Sequence, residues 1–228
     1  MIVVTGRMVQ SLRRALAPAG LADPIICYQG AVVVDGDGTW LRHVPIPLDL
    51  AREALSFATE EGYGPNVYVD DELYVAEVTQ YARDYAEFQH IAIHPVGDLQ
   101  AWLDAPPTKL VLVGEPRALD GVELRAKAAF GNRLYISKSL PYFLELAAAG
   151  VTKGAGLDFL AHRMGFGPAD TIAFGDGEND VELLEWAGYG VAVENAHERV
   201  KAAADWIGPG AREEGVAEVL EALLDSKR

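Results

Sequence analysis

Phe174-Gly175-Asp176-Gly177-Glu178-Asn179-Asp180 is the stretch on which the reading of this chain turns. An apolar run at 171–174 enters it and a helical pattern begins near Asn179, so the segment joins a strand to a helix. The two glycines let the backbone turn sharply and approach a ligand closely. Hard cations such as Mg²⁺ take oxygen ligands and keep several waters, so one or two carboxylates on a tight turn suit them. An acidic turn that only caps the following helix explains the same residues, with Asp or Asn as N-cap. Both readings stand at this point. An EF-hand loop does not, because the twelfth position counted from Asp176 is Ala187.

Outward from this joint, the chain alternates strand and helix. A helical pattern at 152–164 precedes it; strand, helix and strand patterns at 190–193, 197–203 and 205–207 follow. A last helix carries Val216, Val219, Leu220, Leu223 and Leu224 on one face. The opening residues repeat the alternation: a strand at 1–4, a helix at 8–17 with Met8, Val9, Leu12 and Leu16 on one face, and a strand at 25–28. Such alternation argues for a parallel sheet. Residues 47–149 differ, being strand-rich with short helices, and Pro45 and Pro47 mark their start. The spacing predicts helices through Leu48, Ala51, Leu55 and Ala58 and through Val78, Tyr81, Ala82, Tyr85 and Phe88, and another at 121–130. This middle reads as an inserted second domain.

The 228 residues include 19 Lys or Arg and 34 Asp or Glu, a net charge of −15, and half are hydrophobic. That balance supports a packed core and excludes a disordered acidic tail. It argues against nucleic-acid or membrane-surface partners, whose backbones are also negative. A phosphorylated ligand would need a local cation to overcome the field. The single Cys27 forms no intramolecular disulfide, and a reducing cytoplasm is the plain reading. No apolar stretch reaches the length of a membrane span, and no signal-peptide pattern opens the chain. A strand pattern that begins at the first residues reads as a start that has been cut.

Two further motifs carry chemistry. In Val3-Val4-Thr5-Gly6-Arg7 a strand end, a hydroxyl and a glycine precede a helix, where backbone N–H groups can hold an anion. A Thr N-cap explains it equally. In Gly150-Val151-Thr152-Lys153-Gly154 a lysine occupies the first turn of a helix, where its charge opposes the macrodipole. Most lysines are simply solvated, and that reading also stands.

In this order, VTGR, a long insertion, GVTKG and FGDGEND, the chain resembles the haloacid dehalogenase superfamily, and within it the Cof-type sugar-phosphatase branch. Tyr28-Gln29-Gly30-Ala31, Gly190 to Ala196, Ala203-Ala204-Asp205 and Glu214-Gly215-Val216 match as well. The resemblance implies an α/β fold: a Rossmann-like parallel-sheet core of residues 1–46 and 150–228, with an inserted α+β cap of residues 47–149. It implies hydrolysis of small, sugar-phosphate-like phosphomonoesters through an aspartyl-phosphate, with a second aspartate as acid and base and Mg²⁺ as cofactor. It implies that Thr5 hydrogen-bonds a phosphate oxygen, that Gly6 and Arg7 shape that pocket, and that Lys153 offsets charge on nucleophile and phosphate. Asp176 would ligate Mg²⁺, Asp180 would support it directly or through water, and Asn179 would orient Lys153 or the phosphoryl site. The implied partner is a small phosphorylated substrate, with no nucleic acid and no membrane; a homo-oligomer is left open.

The family's first motif, DxDGT after an apolar strand, precedes TGR and supplies both catalytic aspartates. Here only Met1 to Val4 precede TGR, so the resemblance implies that the central core strand and the nucleophile are missing and that the chain is inactive. A literal DxDGT does occur at Asp35-Gly36-Asp37-Gly38-Thr39. It follows TGR, and Asp-Gly is a common hairpin turn, so it is expected to be a hairpin entering the cap. His90 and His94 flank a strand pattern, against a zinc pair. The rival function is a non-catalytic binder of phosphate and Mg²⁺.

Overall fold

In a computed structural model the structure describes residues 1–210 and 214–225, without the side chains of Phe88, Leu223 and Leu224. The core-facing roles expected for those three side chains lie outside the described residues. The chain divides into two compact units, Met1–Val151 and Thr152–Arg228, so residues 1–46 share a unit with 47–149.

The first unit opens with β1 (Val3–Val4), α1 (Val9–Leu16), β2 (Ile25–Cys27), β3 (Val32–Val34) and β4 (Trp40–His43). These strands form one sheet in the order β1-β2-β3-β4. β1 and β2 run parallel; the β2–β3 and β3–β4 pairs are antiparallel. The turn between β3 and β4 is the DGDGT segment. Asp35 N donates to Thr39 O at 2.8 Å, and Asp37 Oδ1 accepts from Thr39 N at 2.8 Å. Gly38 has φ 102°, which favours glycine. The hairpin expectation therefore holds, with both carboxylates serving turn N–H groups.

The rest of this unit runs α2 (Leu48–Glu60), β5 (Asn66–Val69), β6 (Glu72–Val75), α3 (Gln80–Gln89), β7 (Ile93–Pro95), α4 (Leu99–Trp102), β8 (Lys109–Val113), α5 (Pro116–Phe130), β9 (Leu134–Leu140) and β10 (Phe143–Ala148). Its six-stranded sheet has the order β7-β6-β5-β8-β10-β9. Strand periodicity puts Leu110, Leu112, Leu144 and Leu146 on one face. They are buried in a core with Leu55, Leu119, Val122 and Phe130. Two details differ from the sequence expectation. α5 starts at Pro116, five residues earlier than the apolar spacing suggests, because proline's fixed φ suits the first helical turn. Tyr81, expected on the core face of α3, is exposed, while Ala82 and Tyr85 are buried.

The second unit comprises α6 (Lys153–Met164), β11 (Ile172–Gly175), α7 (Val181–Trp186), β12 (Tyr189–Val193), α8 (Glu198–Ala203), β13 (Trp206–Gly208) and α9 (Gly215–Asp225). β11-β12-β13 form a parallel sheet, as the alternation predicts. Leu157, Leu160, Leu183, Leu184, Val191 and Val200 are buried in this unit. Gly154 lets α6 approach α7: a Cβ there would run into the Glu182 carbonyl, with its carbon at 2.9 Å. Among the described residues no helix is long and apolar enough to cross a membrane.

Candidate active site

The FGDGEND loop leaves β11 and enters α7 through a 3₁₀ turn at Glu178–Asp180. Asp180 organises it. Its Oδ2 accepts from Asp176 N and Gly177 N, both at 3.0 Å, and its Oδ1 pairs with Lys153 Nζ. Gly175 makes room for this arrangement, since a Cβ there would lie 2.5 Å from Asp180 Cβ and 2.8 Å from Leu184 Cδ1. Lys153 sits in the first turn of α6, where its charge opposes the helix dipole; the Asp180 carboxylate offsets that cost. Thr152 caps the same helix, accepting from Ala155 N at 3.0 Å. Lys153, Asn179 and Asp180 are all buried.

Asp176 is different. Its side chain is exposed, and among the described residues no donor reaches its carboxylate. Its backbone is fixed from both sides: the N–H by Asp180, and the C=O by His197 N at 2.9 Å. His197 Nδ1 accepts from Arg199 N, so its Nε2 is left to face Glu178 Oε1 at 3.0 Å. Arg199 Nη1 also approaches Glu178, at 3.4 Å. Glu178 is thereby tied to the start of α8. Asp205 anchors the neighbouring strand, accepting from Gly190 N at 2.7 Å.

In the first unit, Thr5, Gly6 and Arg7 form a tight turn after β1. Thr5 Oγ1 accepts from Arg7 N at 3.2 Å, which leaves its O–H free to donate outward. The Tyr28-Gln29 segment, with φ of 52° and 59°, seats on this turn: Gln29 N donates to Thr5 O and Tyr28 N to Arg7 O, both at 3.0 Å. Gly6 is needed because a Cβ would collide with the Gln29 amide. Lys109 Nζ donates to Gly6 O at 2.8 Å.

The helix N-terminus that the sequence offered to an anion is already taken. Asp71, from the turn between β5 and β6, accepts from Val9 N at 2.9 Å, Gln10 N at 2.8 Å and the Tyr28 hydroxyl at 2.7 Å. The first N–H groups of α1 are therefore closed to an external anion at this turn. Burial raises the Asp71 pKa above its ordinary value, and these hydrogen bonds oppose the rise. Asp71 was not legible as a site residue; the only signal is an Asp-Asp pair with positive φ at a hairpin turn.

His90 and His94 do not form a metal pair: His90 closes α3 in the left-handed region, and His94 Nε2 faces Glu72 Oε2 at 3.0 Å. Among the described residues no group of three His, Cys, Asp or Glu side chains is placed to enclose a metal. The donor set at Asp176 is one open carboxylate with oxygen neighbours and no thiol. It fits an ion that keeps most of its waters, as Mg²⁺ does, and does not fit the closed nitrogen–sulfur cage of structural zinc.

The sequence profile of the haloacid dehalogenase-like hydrolases matches residues 1–220. An HMP-PP phosphatase of Serratia proteamaculans is 28% identical over 201 residues, covering 86% of this chain and 72% of the relative. A solved haloacid dehalogenase-like hydrolase from Bacteroides thetaiotaomicron is 27% identical, with TM-score 0.84 over 97% of this chain and 85% of the other. A solved protein of Thermotoga maritima is 30% identical, with TM-score 0.81 over 96% and 84%.

Proposed function

The chain belongs to the haloacid dehalogenase-like hydrolases, and from that premise we propose that it binds small phosphomonoesters with Mg²⁺ in the manner of a phosphatase. The observation that carries this reading is the exposed, unpaired Asp176 carboxylate on a loop locked by the buried Lys153–Asp180 pair. Asp176 holds the metal. Asp180 supports it by fixing the loop, since both of its oxygens already accept from protein donors. A Mg²⁺ ion held by the Asp176 carboxylate would supply positive charge toward a phosphate group. Thr5 donates its hydroxyl proton to a phosphate oxygen, and Arg7 supplies the local cation that a chain of net charge −15 requires. Lys153 pairs with Asp180 and sets the electrostatics of the loop, with Asn179, the residue before Asp180, also buried.

The one DxDGT match among the 228 residues is the hairpin turn, so neither Asp35 nor Asp37 is assigned to chemistry. The reading for this chain is phosphate and metal binding by the residues named, with hydrolysis assigned to none of them; the second reading is a binder that performs no hydrolysis. Calorimetric titration with inorganic phosphate in the presence of Mg²⁺ tests it. Wild type is expected to bind, and Thr5→Val to weaken binding about tenfold or more, the loss of one hydrogen bond to a charged group. Absence of phosphate binding contradicts the reading. Phosphoester turnover that disappears in Asp35→Asn contradicts the assignment of the hairpin.

A further inference from the structure

The FGDGEND loop carries three carboxylates and several carbonyl oxygens, and protein donors already engage most of them. Asp176 O accepts from His197 N at 2.9 Å, and Gly177 O from Asp180 N at 2.8 Å. Glu178 O accepts from Val181 N, and both side-chain oxygens of Asp180 are taken. The Glu178 carboxylate is held as well. Its Oε1 lies 3.0 Å from His197 Nε2 and its Oε2 3.4 Å from Arg199 Nη1. Since His197 Nδ1 accepts from Arg199 N at 3.2 Å, the ring carries its N–H at Nε2 and donates it to Glu178. Among the described residues, Asp176 keeps the one carboxylate of the loop that no donor reaches.

These engagements differ in kind. Backbone N–H groups hold the three carbonyls, and the buried Lys153 holds Asp180, so the fold itself fixes them. Glu178 is held by side chains that are 47% and 67% exposed, and is itself 33% exposed. Exposed ion pairs add little to stability, so the clasp matters for what it withholds. With Glu178 engaged, the loop offers a cation one carboxylate. With Glu178 released, it offers two, from neighbouring positions 176 and 178. That count separates the hard cations. Ca²⁺ takes about six to eight oxygen ligands, and its affinity rises with their charge; Mg²⁺ is smaller and keeps several of its waters.

We propose that Glu178 is the cation-selectivity residue of this loop: His197 and Arg199 withhold it as a second carboxylate, so the loop takes hydrated Mg²⁺ and discriminates against Ca²⁺. The inference rests on the assignment of the metal to Asp176. Release of Glu178 converts the loop into a two-carboxylate site that favours the larger ion.

Calorimetric titration of the 228-residue protein with Mg²⁺ alone and with Ca²⁺ alone tests the proposal. The clasp is opened in the double variant His197→Asn, Arg199→Gln, in which asparagine keeps a side-chain acceptor at the start of α8. Ca²⁺ is expected to bind the double variant about tenfold tighter than wild type, while Mg²⁺ changes by less than about threefold. Adding Glu178→Gln to the double variant should return Ca²⁺ to its wild-type affinity. Unchanged Ca²⁺ binding, an equal gain for both cations, or a Ca²⁺ gain that survives Glu178→Gln overturns the proposal. So does weaker binding of both cations with a lowered melting temperature, the mark of a clasp that only staples the loop to α8. If wild type shows no Asp176-dependent Mg²⁺ binding while the double variant gains Glu178-dependent Ca²⁺ binding, the Asp176 assignment fails and the clasp stands. If neither cation binds any of these proteins, both fall.

Discussion

Asp180 accepts from three protein donors with its two oxygens, and Lys153 is buried with it. Removing one partner of a buried ion pair strands the other, a far larger penalty than the net worth of the pair. Asp180→Asn, which keeps the shape, is expected to lower unfolding stability by about 3–5 kcal/mol in urea titrations. A loss under about 1 kcal/mol, the range of an exposed pair, would contradict this view of the loop. At this scale the sequence was informative because motif residues lie close in the chain. The strand–turn–helix context and the paired glycines and carboxylates singled out the 175–180 loop, while the roles of Asp176, Asn179 and Asp180 came from the family resemblance. What it did not reveal was the division of labour: Asp176 and Asp180 look alike in a motif, and only burial separates the open carboxylate from the one enclosed by Lys153 and two backbone N–H groups.

Among the elements, α1 depends on a residue far away in sequence. It is eight residues long, with no side-chain cap of its own at Met8, and its first N–H groups are satisfied by Asp71, sixty-two residues from Val9. Asp71→Ala removes that cap and orphans the Tyr28 hydroxyl, with an expected loss of about 1–2 kcal/mol in chemical denaturation. Asp71→Asn should recover part of it, and an unchanged midpoint in Asp71→Ala would contradict the capping role. No local pattern announces such a contact. Periodicity, by contrast, exposed most helices and strands, and turn chemistry correctly read DGDGT as a hairpin. The element that periodicity placed late was α5, whose first turn carries the buried Leu119 and whose start is marked by Pro116.

Over the whole molecule, each compact unit presents a different test. In the first, His43 of β4 is exposed as a residue, with its Nε2 turned to Thr108 Oγ1 at 2.9 Å and its ring partly desolvated there. Burial lowers its pKa below the ordinary 6.5, with Asp70 opposing. The folded state therefore binds this proton less readily than the unfolded chain. The associated stability is complete above pH 6.5 and is lost as pH falls from there through the folded pKa. Stability measured between neutral and mildly acidic pH should fall less steeply in His43→Gln than in wild type; parallel curves would remove His43 from the account. The strongly negative whole, net −15, makes the second unit's open carboxylate a natural cation site only if the loop geometry selects it over other acidic residues. The decisive measurement is the shift in melting temperature on adding Mg²⁺ to wild type and to Asp176→Ala. The account predicts a saturable rise in wild type that is lost in Asp176→Ala. An equal rise in both would contradict it.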